Sequence, residues 1–433
     1  MRDGDTIVAL SSGSVPAGVA VVRASGAQTA RLLERLAGSL PEPRRLTLRS
    51  LRDGDALLDQ ALVAWFPAPH SFTGEDCAEL HLHGSPATVR AVLRKLTEVP
   101  GVRLAEAGEF TRRAFEAGKL DLTEVEGLGD LIAAETENQR RQALARLQGG
   151  LSAQLEDWRE RLLDARAEIE AQLDFSDEGD VAALPPILAE ELQRLEAELR
   201  AAMVGVAGGR ITREGLRVAL AGPPNAGKSS LLNALARSDV AIVTSEAGTT
   251  RDIKEVPIDL GGQLVVLIDM AGLRSTDNLA EAEGVRRAER EIEAADLVLW
   301  LVPPDGELAA SHGLGNQNVL MVGSKRDLGP PPLLTDLDLS VRTGAGLDTL
   351  LEHLARFAAG HTGGEPALVS RERDLVALRD AATAVGAAQE VLDEPELAAE
   401  QLRAASYALE RLLGRMDAES VLDHLFSRFC IGK

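Results

Sequence analysis

A chain of 433 residues, 45% hydrophobic and 26% charged, is neither disordered nor short enough for one ordinary core, so about two to four domains are expected. Its formal net charge of −22 makes the surface as a whole repel nucleic acid, and any RNA contact then needs a local basic patch or a partner's surface. Two distant cysteines, Cys77 and Cys430, exclude a disulfide framework; with no signal-peptide pattern and no membrane-length apolar run, a cytoplasmic protein is expected.

Residues 1–118 alternate short strands and helices. Thr6–Leu10 and Val19–Arg23 predict strands around a Ser/Gly/Pro-rich turn, Gln28–Leu36 a helix, Ala61–Phe66 a strand and Ala87–Leu96 a helix, together a small α/β domain. From Leu122 the pattern becomes helical. Leu144, Leu147, Leu151, Leu155, Trp158 and Leu162 recur at three- and four-residue spacing, which predicts one amphipathic helix. Pro185-Pro186 breaks the run, and a second helix follows with Leu192, Leu195, Leu199 and Met203 on one face. Glycine-rich Gly205–Gly215 reads as a boundary and Ala358–Gly364 as a second hinge-like stretch, after which Leu402, Leu409, Leu412 and Met416 restore helical periodicity. The expected fold is α/β plus all-α and multidomain. An N-terminal α/β domain (1–118) precedes a discontinuous helical domain (119–212 and 360–433), into which a Ras-like P-loop G domain (213–359) is inserted.

The inserted region carries the clearest chemistry. Gly222-Pro223-Pro224-Asn225-Ala226-Gly227-Lys228-Ser229-Ser230 fits G-x-x-x-x-G-K-[ST], between a predicted strand, Leu216–Ala221, and a helix starting Ser230–Leu235. Such a loop turns its N–H groups, here over Asn225, Ala226, Gly227 and Ser230, toward phosphate oxygens. Lys228 reaches the β/γ-phosphates and the Ser229 hydroxyl sits on Mg²⁺. Strand Leu264–Ile268 ends in Asp269-Met270-Ala271-Gly272, a D-x-x-G whose Asp269 binds Mg²⁺ through water and whose Gly272 N–H meets the γ-phosphate. Between them, Gly248-Thr249-Thr250-Arg251-Asp252 supplies a threonine able to close over Mg²⁺. Strand Val319–Val322 leads to Ser324-Lys325-Arg326-Asp327. Asp327, with Lys325, fits N-K-x-D, where the Asp accepts hydrogen bonds from guanine N1–H and the 2-amino group. Ser324 replaces the usual Asn, and weaker affinity is expected. Ser340-Val341-Arg342 stands where a supporting S-A-K or S-A-R is usual. These five elements in order predict a GTPase of the translation-factor class; an ATPase or a non-hydrolysing relative is the alternative left by Ser324.

After D-x-x-G, Ras-like enzymes place a water-orienting Gln. Leu273 occupies that position and cannot orient water. Glu281 follows in a segment that could swing in, or is simply a solvated acid in an acidic stretch. Asn225 could help hold a monovalent cation where an arginine finger would otherwise add charge.

Over essentially its whole length the chain resembles the MnmE (TrmE) family of bacterial tRNA-modification GTPases. The resemblance rests on Asp5-Thr6-Ile7-Val8-Ala9, Arg23-Ala24-Ser25-Gly26, Ser71-Phe72-Thr73-Gly74-Glu75-Asp76, Gly108-Glu109-Phe110-Thr111, Gly118-Lys119-Leu120-Asp121-Leu122, Leu147-Gln148-Gly149 and Phe429-Cys430-Ile431-Gly432-Lys433. It implies an N-terminal domain that dimerises and binds 5-formyltetrahydrofolate or a related folate through Arg23, Glu79, Lys119 and Lys433, with Cys430 beside Lys433 as a candidate catalytic group. It implies potassium-stimulated GTP hydrolysis on dimerisation of the G domains, with K⁺ at Asn225, Thr244, Glu246 (through its backbone) and Thr249, Mg²⁺ at Ser229 and Thr250, and Glu281 catalytic. The implied partners are a second copy, the FAD protein MnmG in a heterotetramer or larger complex, and tRNA, whose wobble uridine gains a carboxymethylaminomethyl or aminomethyl group at C5. The family's D-T-A-G is here Asp269-Met270-Ala271-Gly272, and its glycine-rich N-terminal turn is Ser14-Val15-Pro16-Ala17-Gly18.

Cys77, Glu79, His81 and His83 alternate, so a strand turns all four to one face. This has the form of a metal-ligand set, but the preferred reading is a half-buried strand whose Glu79 serves the ligand pocket. The alternative to the whole assignment is a ribosome-assembly GTPase acting as a switch, which lacks the folate-like N-terminus and the C-I-G-K stretch. A stand-alone one-carbon folate enzyme leaves the GTP motifs unexplained.

Overall fold

The computed structural model describes residues 4–174, 186–242, 254–269, 290–305, 318–363, 366–416, 419–427, 429 and 432. The chain divides into two compact units, residues 1–129 with 410–433 and residues 130–409.

The first unit is built on β1 (Thr6–Leu10), β2 (Ala17–Ser25), β3 (Thr47–Asp53), β4 (Ala56–Phe66), β5 (Cys77–Gly84) and β6 (Val102–Leu104). Their order is β3-β4-β5-β2-β1-β6. All neighbours are antiparallel except β1 and β6. The two-residue period decides the layers. Ala78, Leu80 and Leu82 of β5 and Ala20 and Val22 of β2 face one core, which helices Thr29–Ala37 and Pro86–Thr97 close with Leu32, Leu33, Leu36, Val89, Val92 and Leu96. Ser85 caps the second helix by accepting a hydrogen bond from Ala87 N–H, with Pro86 in the first turn where no N–H is needed. On the other face, Ile7, Ala9 and Ala105 pack with Phe110 of helix Glu109–Glu116.

The second unit holds β7 (Leu216–Ala221), β8 (Lys254–Leu260), β9 (Gln263–Asp269), β10 (Leu297–Val302), β11 (Val319–Gly323) and β12 (Leu337–Asp338), in the order β12-β11-β10-β7-β9-β8. Only β8 runs antiparallel to its neighbour. The near-continuous apolar strands Leu-Arg-Val-Ala-Leu-Ala and Leu-Val-Leu-Trp-Leu-Val follow from burial of a parallel sheet on both faces. Around the sheet, Leu231 and Leu235 of helix Lys228–Leu235 and Leu350 and Leu354 of helix Leu347–Thr362 complete the core.

Helices before and after this sheet in sequence share one interior. Arg146, on helix Glu137–Leu147, meets Asp374, on helix Glu372–Glu390, at 3.0 Å, with both side chains 0% exposed. Gln142 donates to the Gly209 and Ala367 carbonyls, and Gln389 donates to Glu196 on helix Pro186–Val204. The architecture is therefore α/β plus all-α, with a Ras-like sheet domain inserted into a helical domain made of two sequence segments.

Three local expectations are corrected. The periodicity from Leu144 to Leu162 belongs to two helices, Glu137–Leu147 and Gly150–Asp174, parted where Gly149 takes a φ of +80°. The apolar stripe survives the break because Leu151, Leu155, Trp158 and Leu162 remain buried. Neither glycine-rich hinge is a loop. Val206–Glu214 is a helix, and helix Leu347–Thr362 takes up the second stretch as far as Thr362. A Cβ on Gly208 would lie 2.4 Å from the His361 carbonyl oxygen, and one on Gly209 2.3 Å from that of Val369. These glycines permit close backbone packing inside a helix rather than motion between domains.

Candidate functional site

In an open parallel sheet, ligands bind beyond the carboxyl ends of strands where the order reverses. Here β7 lies between β9 and β10, and the phosphate-binding loop leaves its end. Gly222 and Gly227 have φ of +134° and +99°, and Asn225 has φ of +62°. A Cβ on Gly222 would meet the Leu301 carbonyl oxygen at 2.5 Å, so the first glycine is fixed by its neighbour strand. Asn is among the few non-glycine residues suited to the left-handed conformation, a backbone task that its side chain's expected cation role did not reveal. Gly227 opens helix Lys228–Leu235, and the helix N-terminus offers free N–H groups to an anion. The Lys228 ammonium donates to the Gly222 and Pro223 carbonyls at 2.8 and 2.9 Å. It thus lies over the loop. Ser229 donates to the Asp269 carboxylate at 2.6 Å, bringing together the two oxygen groups expected at Mg²⁺. A hydroxyl and a carboxylate on the loop's last turn and the end of β9 fit an oxygen-seeking cation.

A cleft of about 390 Å³ continues from the loop, lined by Ala226, Gly227, Leu301, Ser324, Lys325, Asp327 and Arg342 among others. Asp327 accepts hydrogen bonds from Ser340 Oγ at 2.5 Å and Arg342 Nε at 2.7 Å. The Ser340 hydrogen bond foremost, joined by Arg342, outweighs the upward push of burial and holds its carboxyl below the usual carboxylate range. The group predicted to read guanine is thereby kept ionised, as an acceptor for two N–H donors. Ser324 donates to the Ala226 carbonyl at 2.7 Å. The residue that departs from N-K-x-D therefore ties the base-reading loop to the phosphate loop, a role no local pattern announced. Lys325 adopts φ of +52° and lines the same cleft. Thr244, Glu246, Thr249, Thr250, Gly272, Leu273 and Glu281 lie outside the described residues.

In the first unit, Arg23 of β2 lies opposite Glu79 of β5 in register. The guanidinium donates through Nη2 to Glu79 at 2.9 Å, and its Cζ lies 5.5 Å from the Phe72 ring centroid and 5.7 Å from that of Phe110. Lys119 borders the same loop as Phe72, since a Cβ on Gly74 would lie 3.3 Å from Lys119 Cε. Arg23, Glu79 and Lys119 thus gather around Ser71–Asp76. Ser25 and Arg113 both donate to Glu75 of that loop. Neither this fastening nor the pair of rings beside Arg23 is announced by a local pattern, although Glu75, Phe72 and Phe110 lie in the S-F-T-G-E-D and G-E-F-T stretches. Gly432 has φ of +100°, and its carbonyl accepts a 2.8 Å hydrogen bond from Ser11. A Cβ there would fall 2.3 Å from the Leu10 carbonyl oxygen. Gly432 is therefore seated at the end of β1, whose Ala9 pairs with Arg23. Cys430 and Lys433 lie outside the described residues.

The alternating residues of β5 do not converge on one point, although His81 Nε2 lies 3.4 Å from Glu79. Cys77 is buried beside Thr73 and Ser25, Glu79 turns to Arg23, and His83 pairs with Asp59 at 2.7 Å. Among the described residues, no group of three or more His, Cys, Asp or Glu could hold a metal ion, and no helix is long and apolar enough to cross a membrane.

The sheet order, phosphate loop, Ser229–Asp269 pair and Asp327 cleft define the class: a P-loop protein of the GTPase type with appended α/β and helical domains. Family models for the GTP-binding protein TrmE N-terminus and the MnmE helical domain match residues 6–119 and 122–430. The chain is 51% identical over 442 residues to the tRNA modification GTPase MnmE of Azorhizobium caulinodans, covering 100% of both chains. It is 50% identical over 440 residues to that of Rhizobium meliloti, again covering 100% of both. A crystal structure of Aquifex aeolicus Era is 26% identical over 39% of this chain and 66% of that one, with a TM-score of 0.27. This chain belongs to the MnmE family of tRNA modification GTPases.

Proposed function

We propose that the chain hydrolyses GTP in the service of tRNA modification and that its two sites divide the work. The observation carrying this reading is Asp327, held ionised by Ser340 and Arg342 in a cleft continuous with the phosphate loop. That arrangement favours guanine, because adenine lacks the paired N–H donors the carboxylate accepts. Mg²⁺ would be held by Ser229, with Asp269 behind it and Thr250 closing over it. K⁺ would be held by Asn225, Thr244, the Glu246 backbone and Thr249, supplying positive charge where phosphate charge develops during hydrolysis. Glu281 is assigned the task of orienting water that Leu273 cannot perform.

The working division of the chain is 1–118, 119–212 with 360–433, and 213–359. The first domain would bind formyltetrahydrofolate in a homodimer. The donor set suits such a ligand: Arg23 and Lys119 offer cations to a glutamate tail, Glu79 offers a carboxylate to pterin N–H groups, and Lys433 would complete the site. The folate supplies a one-carbon unit, and FAD on the partner MnmG supplies redox chemistry. This chain's residues bind and orient the folate, with Cys430 the candidate reactive group. The product would be a carboxymethylaminomethyl or aminomethyl group on C5 of the wobble uridine, formed in the cytoplasm.

The test is mass spectrometry of tRNA nucleosides from a deletion strain, complemented with the intact gene, with Arg23→Ala or with Asp327→Ala. Loss of the C5-modified wobble uridine in the deletion and in both variants, with recovery by the intact gene, is expected. Unchanged wobble uridines in the deletion strain would sink the reading.

A further inference from the structure

Arginines on the helices of the second unit are commonly neutralised by an acid one turn away: Arg140 by Glu137, Arg194 by Glu191, Arg200 by Glu196, Arg403 by Glu400. Helix Pro86–Thr97 of the first unit breaks this habit. Its twelve residues include Arg90, Arg94 and Lys95 and no carboxylate, in a chain with 68 Asp and Glu against 46 Lys and Arg. Lys95 is drawn to Asp53 and Glu98. Arg90 and Arg94 are exposed, and among the described residues their guanidinium groups make no ion pair or hydrogen bond. They stand four residues apart, where like charges repel and weaken the helix. Beside them, Leu93, Thr97 and the 56%-exposed Leu104 line an open groove of about 620 Å³. The neighbouring helix Thr29–Ala37, packed on the same sheet face, adds exposed Arg31 and Arg35, also without an ion pair among the described residues. Residues 1–129 hold 15 Lys and Arg against 17 Asp and Glu, so nearly all of the net −22 lies beyond residue 129.

We propose that this helical face, centred on Arg90 and Arg94, is where the chain holds the phosphate backbone of tRNA. A polyanion relieves the repulsion between the two arginines, and the locally neutral unit is the part of an acidic chain that a polyanion can approach. Guanidinium groups match phosphate oxygens in pairs, and the contact is to backbone, so it positions the RNA without reading its sequence.

The inference rests on the tRNA reading above, and one experiment separates the two. Binding of fluorescein-labelled unmodified tRNA to the full-length protein is followed by anisotropy between about 50 and 200 mM salt. Arg90→Ala with Arg94→Ala should weaken binding by roughly tenfold at about 200 mM and lower the log–log salt slope by about 1.8. Arg90→Lys with Arg94→Lys should retain most of both, Arg403→Ala should change neither, and GTP turnover should stay at its unaltered level in all of them. A double alanine variant within twofold of the unaltered protein, with the same slope, overturns this inference alone. Unaffected tRNA binding with lost modification in the presence of MnmG would give the face to an acidic protein surface and also overturn it. No binding by the unaltered protein overturns the inference and the tRNA reading together.

Discussion

Ser324 is 3% exposed, and its hydroxyl holds the carbonyl of Ala226, 98 residues earlier, at 2.7 Å. Removing the donor leaves a buried acceptor unpaired, at a cost of about 1–3 kcal/mol. Ser324→Ala should therefore raise the Kd for GDP roughly tenfold, at about 1.4 kcal/mol per decade. Titration with a fluorescent guanine nucleotide checks this, and an unchanged Kd would show that the bond does not tie the base loop to the phosphate loop. Asp327 makes a separate prediction. Its depressed pKa keeps it ionised as pH falls through the ordinary carboxylate range, so guanine affinity should hold there and fail only at lower pH. A loss of affinity already within the ordinary range would contradict the arrangement. The place of Asp327 in the cleft was legible from sequence, because it closes the S-K-R-D stretch that follows strand Val319–Gly323. The service of Ser324 was not, since it depends on where a distant carbonyl comes to rest. Arg23 and Glu79 fall between these cases: resemblance named them, but only the fold shows Phe72 and Phe110 beside the guanidinium.

At the scale of elements, repeating patterns were readable and interruptions were not. The strands around the phosphate loop follow from short continuous apolar runs, and the leucine stripes from the 3.6-residue helical period. The glycines of Val206–Glu214 misled because propensity penalises glycine in a helix while tertiary packing can require it. Gly209→Ala should gain about 1 kcal/mol in propensity and lose about 1–3 kcal/mol or more from the clash with the Val369 carbonyl. A lowered melting temperature is expected, and a raised one would return the segment to a flexible boundary. The Arg146–Asp374 pair was invisible because its partners are 228 residues apart. Burial pushes the Asp374 carboxyl up. Arg146 and Arg373, with hydrogen bonds from Arg146 and Ser370 N–H, outweigh that push and leave it below its usual range. A depressed pKa contributes stability above the unfolded carboxylate's range, and that stability is lost as pH falls through the folded value. Asp374→Asn should cost about 3–5 kcal/mol at neutral pH by stranding a buried guanidinium. The deficit against the unaltered protein should shrink on acidification. A pH-independent deficit in denaturant melts would mean the pair is structural without being titrated in that range.

At the scale of the molecule, insertion of the G domain was legible because helical composition stops and resumes around it. How nucleotide chemistry begins was only partly so. Lys228 curls over its own loop carbonyls, and Leu273 removes the usual water-orienting amide. On the proposed reading, a single G domain with these residues holds GTP better than it hydrolyses it, and a bound cation adds the positive charge. If Asn225 and its expected companions hold a monovalent cation, the cation must be dry enough to coordinate and large enough for several oxygens, which favours K⁺ over the more strongly hydrated Na⁺. If closure over that cation needs a second copy, the two dependences are coupled. Turnover per protomer should rise with protein concentration in K⁺ and stay low and flat in Na⁺, while nucleotide affinity is similar in both salts. Asn225→Ala should abolish the K⁺ response, and Glu281→Ala should abolish turnover with GTP binding retained. Equal rates in K⁺ and Na⁺ would remove the cation assignment. A K⁺ effect independent of protein concentration would keep the cation and remove the second copy, because a site completed within one protomer has no reason to sense the abundance of another.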